Sequence, residues 1–138
     1  MILDKAHIIQ LPKIHDPRGN LSFFENNQQI PFRIKRTYWI YDVPGGEIRG
    51  GHAFKESSEF IIALSGSFDV VLHDGNKEVI YSLNRSYYGL YVPNMLWRRL
   101  ENFSTNSLAL IVSPMKYKPT DYIYDFENFI KLKNEKKN

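Results

Sequence analysis

The stretch Gly46-Glu-Ile-Arg49-Gly-Gly-His52-Ala-Phe54-Lys-Glu-Ser-Ser-Glu59-Phe-Ile-Ile-Ala-Leu-Ser-Gly66 decides how the rest of the chain reads. Phe60 to Leu64 is an unbroken apolar run and Ser65-Gly66-Ser67 is a turn. Phe68 to Leu72 then returns beside the first run as a hairpin. Side chains two apart on a strand share a face, so His52 and Phe54 point together toward whatever the strands enclose. Glu59 opens the next strand, and Gly66 permits the tight return. Arg49 and the pair Gly50-Gly51 flank His52, where small residues let a ligand come close.

Outward from this stretch the same grammar repeats. Ile34 to Tyr41 is β-branched and aromatic, and Asp42-Val43-Pro44-Gly45-Gly46 turns the chain after it. Asp74-Gly75-Asn76 marks a turn before a strand at Glu78 to Leu83. Tyr87 to Val92 ends at Pro93-Asn94, and Leu108 to Val112 ends at Pro114. Strands recurring about every ten residues predict a sandwich or barrel. The 9 Phe, 9 Tyr and 2 Trp suit pleated surfaces. Only the end departs from this pattern. Thr120-Asp121 resembles a helix start with a capping oxygen, and Tyr122, Ile123, Phe126, Phe129 and Ile130 fall near helical spacing. They predict a short C-terminal α-helix over Thr120 to about Lys133.

The 138 residues, 43% hydrophobic and 24% charged, suit one core, so a single domain over 1–138 is expected. With no cysteine there is neither a disulfide frame nor thiolate chemistry. The N-terminus shows no basic region followed by an apolar run, and no stretch reaches a membrane span, so a cytoplasmic protein is expected. The net charge of +3 is inflated by four lysines among the last eight residues. Basic residues are otherwise scattered without a nucleic-acid motif, so neither nucleic acid nor membrane is expected as a partner. A small anion would suit a few well-placed arginines.

The spacing Gly46-x5-His52-x-Phe54-x4-Glu59-x6-Gly66 is similar to the first cupin signature, with Phe54 where a second histidine normally completes a metal-gripping pair. The second cupin motif falls at Tyr87 to Arg98, and Arg98 stands where another histidine ligand is expected. A guanidinium has no lone pair to give a metal. His52 and Glu59 alone fall short of the three protein ligands that zinc and iron sites use. We therefore expect an all-β, cupin-type antiparallel β-barrel (jelly roll) with a short C-terminal α-helix, no metal and no cofactor. His52 is then the candidate base. His7, His15 and His73 read as surface residues. Arg36 and Tyr38 should share one strand face, opposite Lys35 and Thr37, and arginine forks beside aromatics suit a diphosphate and a planar base.

Taken together, the chain resembles the bacterial sugar-nucleotide 3,4-ketoisomerases, small cupins acting on a dTDP-4-keto-6-deoxyhexose. The resemblance rests on Asp16-Pro-Arg18-Gly19-Asn-Leu21, Ile34-Lys-Arg36-Thr-Tyr38-Trp-Ile40 and Arg49-Gly-Gly-His52-Ala-Phe54-Lys55. It continues through Leu64-Ser-Gly66-Ser67, Gly89-Leu-Tyr91-Val92 with Trp97, and Thr120-Asp-Tyr122-Ile123 with Phe126 and Phe129. It implies a 1,2 carbonyl shift through an enediol: His52 as base, Tyr38 and Arg49 holding or polarising sugar oxygens, and Arg36 on the diphosphate. Arg18, Trp97 and Arg98 are further substrate-binding positions. It also implies a homodimer, and a place in the biosynthesis of 3-amino-3,6-dideoxy sugars for surface glycans such as the O-antigen of lipopolysaccharide.

Phe54 departs from the family's paired histidines. By the resemblance, positions 18 and 98 separate galacto from gluco products; Arg18 matches the galacto type and Arg98 the gluco type, so both configurations stay open. A sugar-binding cupin without catalysis and a nucleotide-sugar 3,5-epimerase are the competing readings. The epimerase usually pairs its base histidine with a carboxylate, and none is identifiable in the sequence.

Overall fold

A computed structural model describes residues 2–137. After a 3₁₀ turn at Ile2–Lys5 come β1 (His7–Gln10), β2 (Lys13–Ile14), β3 (Leu21–Ser22), β4 (Arg36–Tyr41), β5 (Arg49–Phe54) and β6 (Glu59–Ser65). Then follow β7 (Phe68–His73), β8 (Glu78–Leu83), β9 (Tyr88–Val92), β10 (Trp97–Glu101), β11 (Leu108–Ser113), β12 (Tyr122–Ile123) and α1 (Phe126–Lys137). Two five-stranded antiparallel sheets, β1-β9-β6-β11-β4 and β12-β5-β10-β7-β8, face one another. The expected all-β jelly roll with one C-terminal helix is the architecture observed.

Alternation explains the layers. In β6, Ile61 and Ala63 turn inward to the main core with Val70, Leu72, Leu90, Leu100, Ala109 and Ile111. Phe60 and Ile62 turn outward, where Ile30 and Phe32 cover them. The strand is therefore buried on both faces, which is why it reads as a continuous apolar run. Gly66 makes the β6–β7 turn at φ +67, and a Cβ there would lie 2.8 Å from the Ser107 Cα. Few other residues adopt that backbone.

The C-terminal helix starts six residues later than the spacing predicts, at Phe126. Tyr122–Ile123 is instead an edge strand paired with Ala53 and Phe54 of β5. The Asp121 carboxylate accepts the Glu56 and Ser57 backbone amides, at 2.8 and 3.2 Å, and so ties this strand to the β5–β6 loop. Asp125 is the residue that accepts at the helix start, from the Glu127 amide at 3.2 Å. Phe129 then buries fully against Ala53, Met95 and Ile123 on the outer face of the second sheet. Among the described residues, hairpin β2–β3 pairs with no other strand.

Candidate active site

Between the sheets, beneath β12, lies a cavity of about 500 Å³, lined by Arg36, Tyr38, Arg49, His52, Arg98, Tyr122 and neighbouring residues. Strand alternation puts Arg36 and Tyr38 of β4 on one inward face, as predicted. His52 of β5 faces Arg98 of β10 in register. His52 is 6% exposed, and its Nε2 is a buried polar atom with no hydrogen-bond partner. Phe54, Tyr122 and Tyr124 surround the ring, with centroids at 4.8, 5.0 and 6.0 Å. Burial, then the Arg98 and Arg36 charges, push its pKa down to about 2. The imidazole is therefore neutral.

Arg98 and Glu59 form a buried fork. Arg98 Nε donates to Glu59 Oε1 at 2.7 Å and Nη2 donates to Oε2 at 3.0 Å. The Tyr38 hydroxyl donates to Glu59 Oε2 and accepts from Arg98 Nη2 at 2.8 Å. Arg98 Nη1 donates to the Gly50 carbonyl at 3.2 Å. Burial drives the Tyr38 phenol well above the usual tyrosine range, so it stays protonated. Of the two surviving ligand positions, Glu59 has both oxygens engaged by Arg98 and Tyr38, which leaves His52 as the one without a hydrogen-bonded partner at Nε2. Among the described residues no three His, Asp or Glu side chains gather. The donors present do not fit a metal.

Arg36 is held in an aromatic cradle, 4.5 Å from the Tyr38 ring centroid and 4.9 Å from that of Tyr117. Its Nη1 donates to the Tyr122 hydroxyl at 2.6 Å. Planar guanidinium against rings leaves the remaining N–H groups directed for an oxyanion. Tyr122 and Tyr124 are additions to the sequence reading, in which Tyr122 belonged to a helical stripe. Their spacing of two, with Ile123 between them, was the strand signal.

Two candidate residues do not reach the cavity. Trp97 precedes Arg98, so alternation turns it to the outer face, where it packs against Phe126 and Phe129 with centroids at 5.3 and 5.9 Å. Arg18 sits on the β2–β3 hairpin, its side chain 90% exposed and paired with Asp16. His7 and His15 are exposed as expected, whereas His73 is half-buried beside Phe126.

A small antiparallel jelly roll whose cavity pairs one neutral imidazole with arginines and tyrosines defines a cupin-type barrel. Residues 4–134 match the family model "FdtA: WxcM-like, C-terminal", and the chain belongs to this family. It is 40% identical over 124 residues to the TDP-4-oxo-6-deoxy-α-D-glucose-3,4-oxoisomerase of Aneurinibacillus thermoaerophilus, covering 90% of this chain and 89% of the relative. A 3,4-ketoisomerase from Helicobacter canadensis superposes with a TM-score of 0.91 at 36% identity, over 94% of this chain and 97% of that one. A histidine-to-asparagine variant of the 3,4-ketoisomerase QdtA from Thermoanaerobacterium thermosaccharolyticum, in complex with TDP-4-keto-6-deoxyglucose, has a TM-score of 0.92 at 31% identity, over 94% of each chain.

Proposed function

We propose that this chain is a 3,4-ketoisomerase of TDP-4-keto-6-deoxyglucose that works by proton transfer at His52. The observation that carries the reading is the buried, neutral imidazole with an unpartnered Nε2, in the wall of a cavity rich in arginine. His52 takes the C3′ proton; the C–H pair becomes a C3′–C4′ double bond while the carbonyl pair moves to O4′. A proton then returns to C4′ as O3′ gives up its own and becomes the ketone. One proton leaves and one joins carbon, and likewise for oxygen, so the shift consumes no redox partner.

Arg36 takes the diphosphate. Its cradle keeps the guanidinium in place, and the incoming negative charge offsets one of the cations that hold His52 down. The base thus strengthens when substrate binds. Arg49 and the one Nη1 proton that Arg98 has not committed stabilise the oxyanion at O4′. Phe54 is a wall: its edge-on contact fixes the imidazole plane, and no second imidazole shares the proton. The epimerase reading is set aside because the nearby carboxylate, Glu59, serves Arg98 and Tyr38 rather than His52.

The reading includes a homodimer. Hairpin β2–β3 exposes Ile14 and Leu21 by more than half, and an apolar groove of about 620 Å³ runs past Trp39, Tyr41 and Leu64 beside the cavity. A second copy covering these surfaces brings its hairpin, and with it Arg18, toward the substrate. Because a nucleotide diphosphate does not cross bilayers unaided, we place the enzyme in the cytoplasm. Its product is suited to amination at C3′ for a surface glycan.

Chelator-treated protein is expected to convert TDP-4-keto-6-deoxyglucose to its 3-keto isomer, followed by proton NMR in D₂O, which also reads the C4′ configuration. His52→Asn should lower turnover about 10³-fold. Unchanged turnover in that variant would remove His52 from the mechanism.

A further inference from the structure

We propose that Glu59 is a positioning residue that turns the Tyr38 hydroxyl so that an oxygen lone pair, and not the phenolic proton, faces the sugar. This rests on the ketoisomerase reading above. Glu59 is 1% exposed and is absent from the cavity wall. Its reach into the cavity is through Tyr38 and Arg98. A phenol carries one proton and two lone pairs. In Tyr38 the proton goes to Glu59 Oε2, and Arg98 Nη2 occupies one lone pair at 2.8 Å. What remains for a ligand is the second lone pair.

That polarity sorts the sugar oxygens. The C4′ ketone accepts hydrogen bonds and cannot use a lone pair, whereas the C3′ hydroxyl donates. Tyr38 therefore receives the O3′ proton as a hydrogen bond. This orients the adjoining C3′–H and draws on the proton that O3′ must release when it becomes the ketone. The ketone oxygen falls to the arginines. Only an ionised carboxylate can hold this arrangement, because it must accept from Arg98 through both oxygens and from Tyr38 at the same time. A glutamine amide has one acceptor atom. With that atom on Arg98, its nitrogen donates to Tyr38 and reverses the phenol.

The test is Glu59→Gln, alone and in a Tyr38→Phe background, with steady-state kinetics on TDP-4-keto-6-deoxyglucose. The single change should lower kcat about 100-fold, a loss typical of small misplacements, while KM stays within about threefold of wild type. Once the hydroxyl it would reverse is gone, the same change should cost under about tenfold, because coupled residues are not additive. TDP affinity within about threefold of wild type, by calorimetry, marks an intact barrel. Full kcat in Glu59→Gln, or losses that multiply in the double variant, would overturn the proposal. Should Glu59→Gln not fold, Tyr38→Phe decides: a loss of about 100-fold in kcat with unchanged TDP binding supports it, and full turnover refutes it. An inactive wild type would instead count against the ketoisomerase reading itself.

Discussion

Arg98 heads the fully buried side chains by volume, and its charge is tolerable only because Glu59 meets it with both oxygens. Gly50 is part of that arrangement. It sits at φ +69, and a Cβ there would collide with Arg98 Nη1. Gly50→Ala therefore combines left-handed strain with displacement of a buried ion pair, and should cost about 3–5 kcal/mol in urea unfolding. His52 sets a pH dependence. Its folded form takes a proton only near pH 2, against an ordinary histidine value of 6.5. Between these values the unfolded chain binds the extra proton, so this contribution is complete above pH 6.5 and declines as pH falls. From pH 6.5 to 5 the wild type should lose about 2 kcal/mol more than His52→Asn, measured by denaturant titration at each pH. The sequence placed His52 in the interior because period-two alternation needs nothing beyond its own strand. It was silent on the Arg98–Glu59 fork, whose members are 39 residues apart.

At the scale of elements, β1, β2, β3, β10 and β12 are the strands absent from the sequence reading, and β10 and β12 show why. In β10, two successive arginines mask the alternation. Arg98 points inward to Glu59, while Arg99 points outward to Glu78 at 2.8 Å. In β12, the aromatic spacing fits a helix as well as a strand, and pairing with β5 decides between them. Helix α1 holds this edge down through Phe129, which is fully buried. Phe129→Ala should cost about 3–5 kcal/mol by chemical denaturation. It should also weaken TDP binding, because Tyr122, the hydrogen-bond partner of Arg36, belongs to the strand beneath. A stability loss with no change in TDP affinity would separate the helix from the site.

For the whole molecule, an isolated two-stranded hairpin is marginal in water, yet β2–β3 exposes Ile14 at 54% and Leu21 at 55%. Trp39 and Tyr41, exposed at 57% and 61%, line the apolar groove beside the cavity. The second copy proposed above would cover both surfaces and bring in Arg18, an arginine that lies away from the site within one chain. Sedimentation should show a dimer. Leu21→Glu should shift it toward monomer and reduce turnover in step. A monomeric, fully active variant would disconnect Arg18 from the reaction.

Local periodicity by itself determined the strands at sandwich-or-barrel spacing, the inward face of His52 and the shared face of Arg36 and Tyr38, since each depends on spacing within one strand, while the resemblance to the cupin motifs supplied the barrel and the histidines missing at 54 and 98. Tertiary structure decided which charges cancel, that Trp97 faces the helix, and that Tyr122 joins the cavity. Those outcomes depend on which strands lie side by side, and pairing between distant segments leaves no periodic mark in either of them.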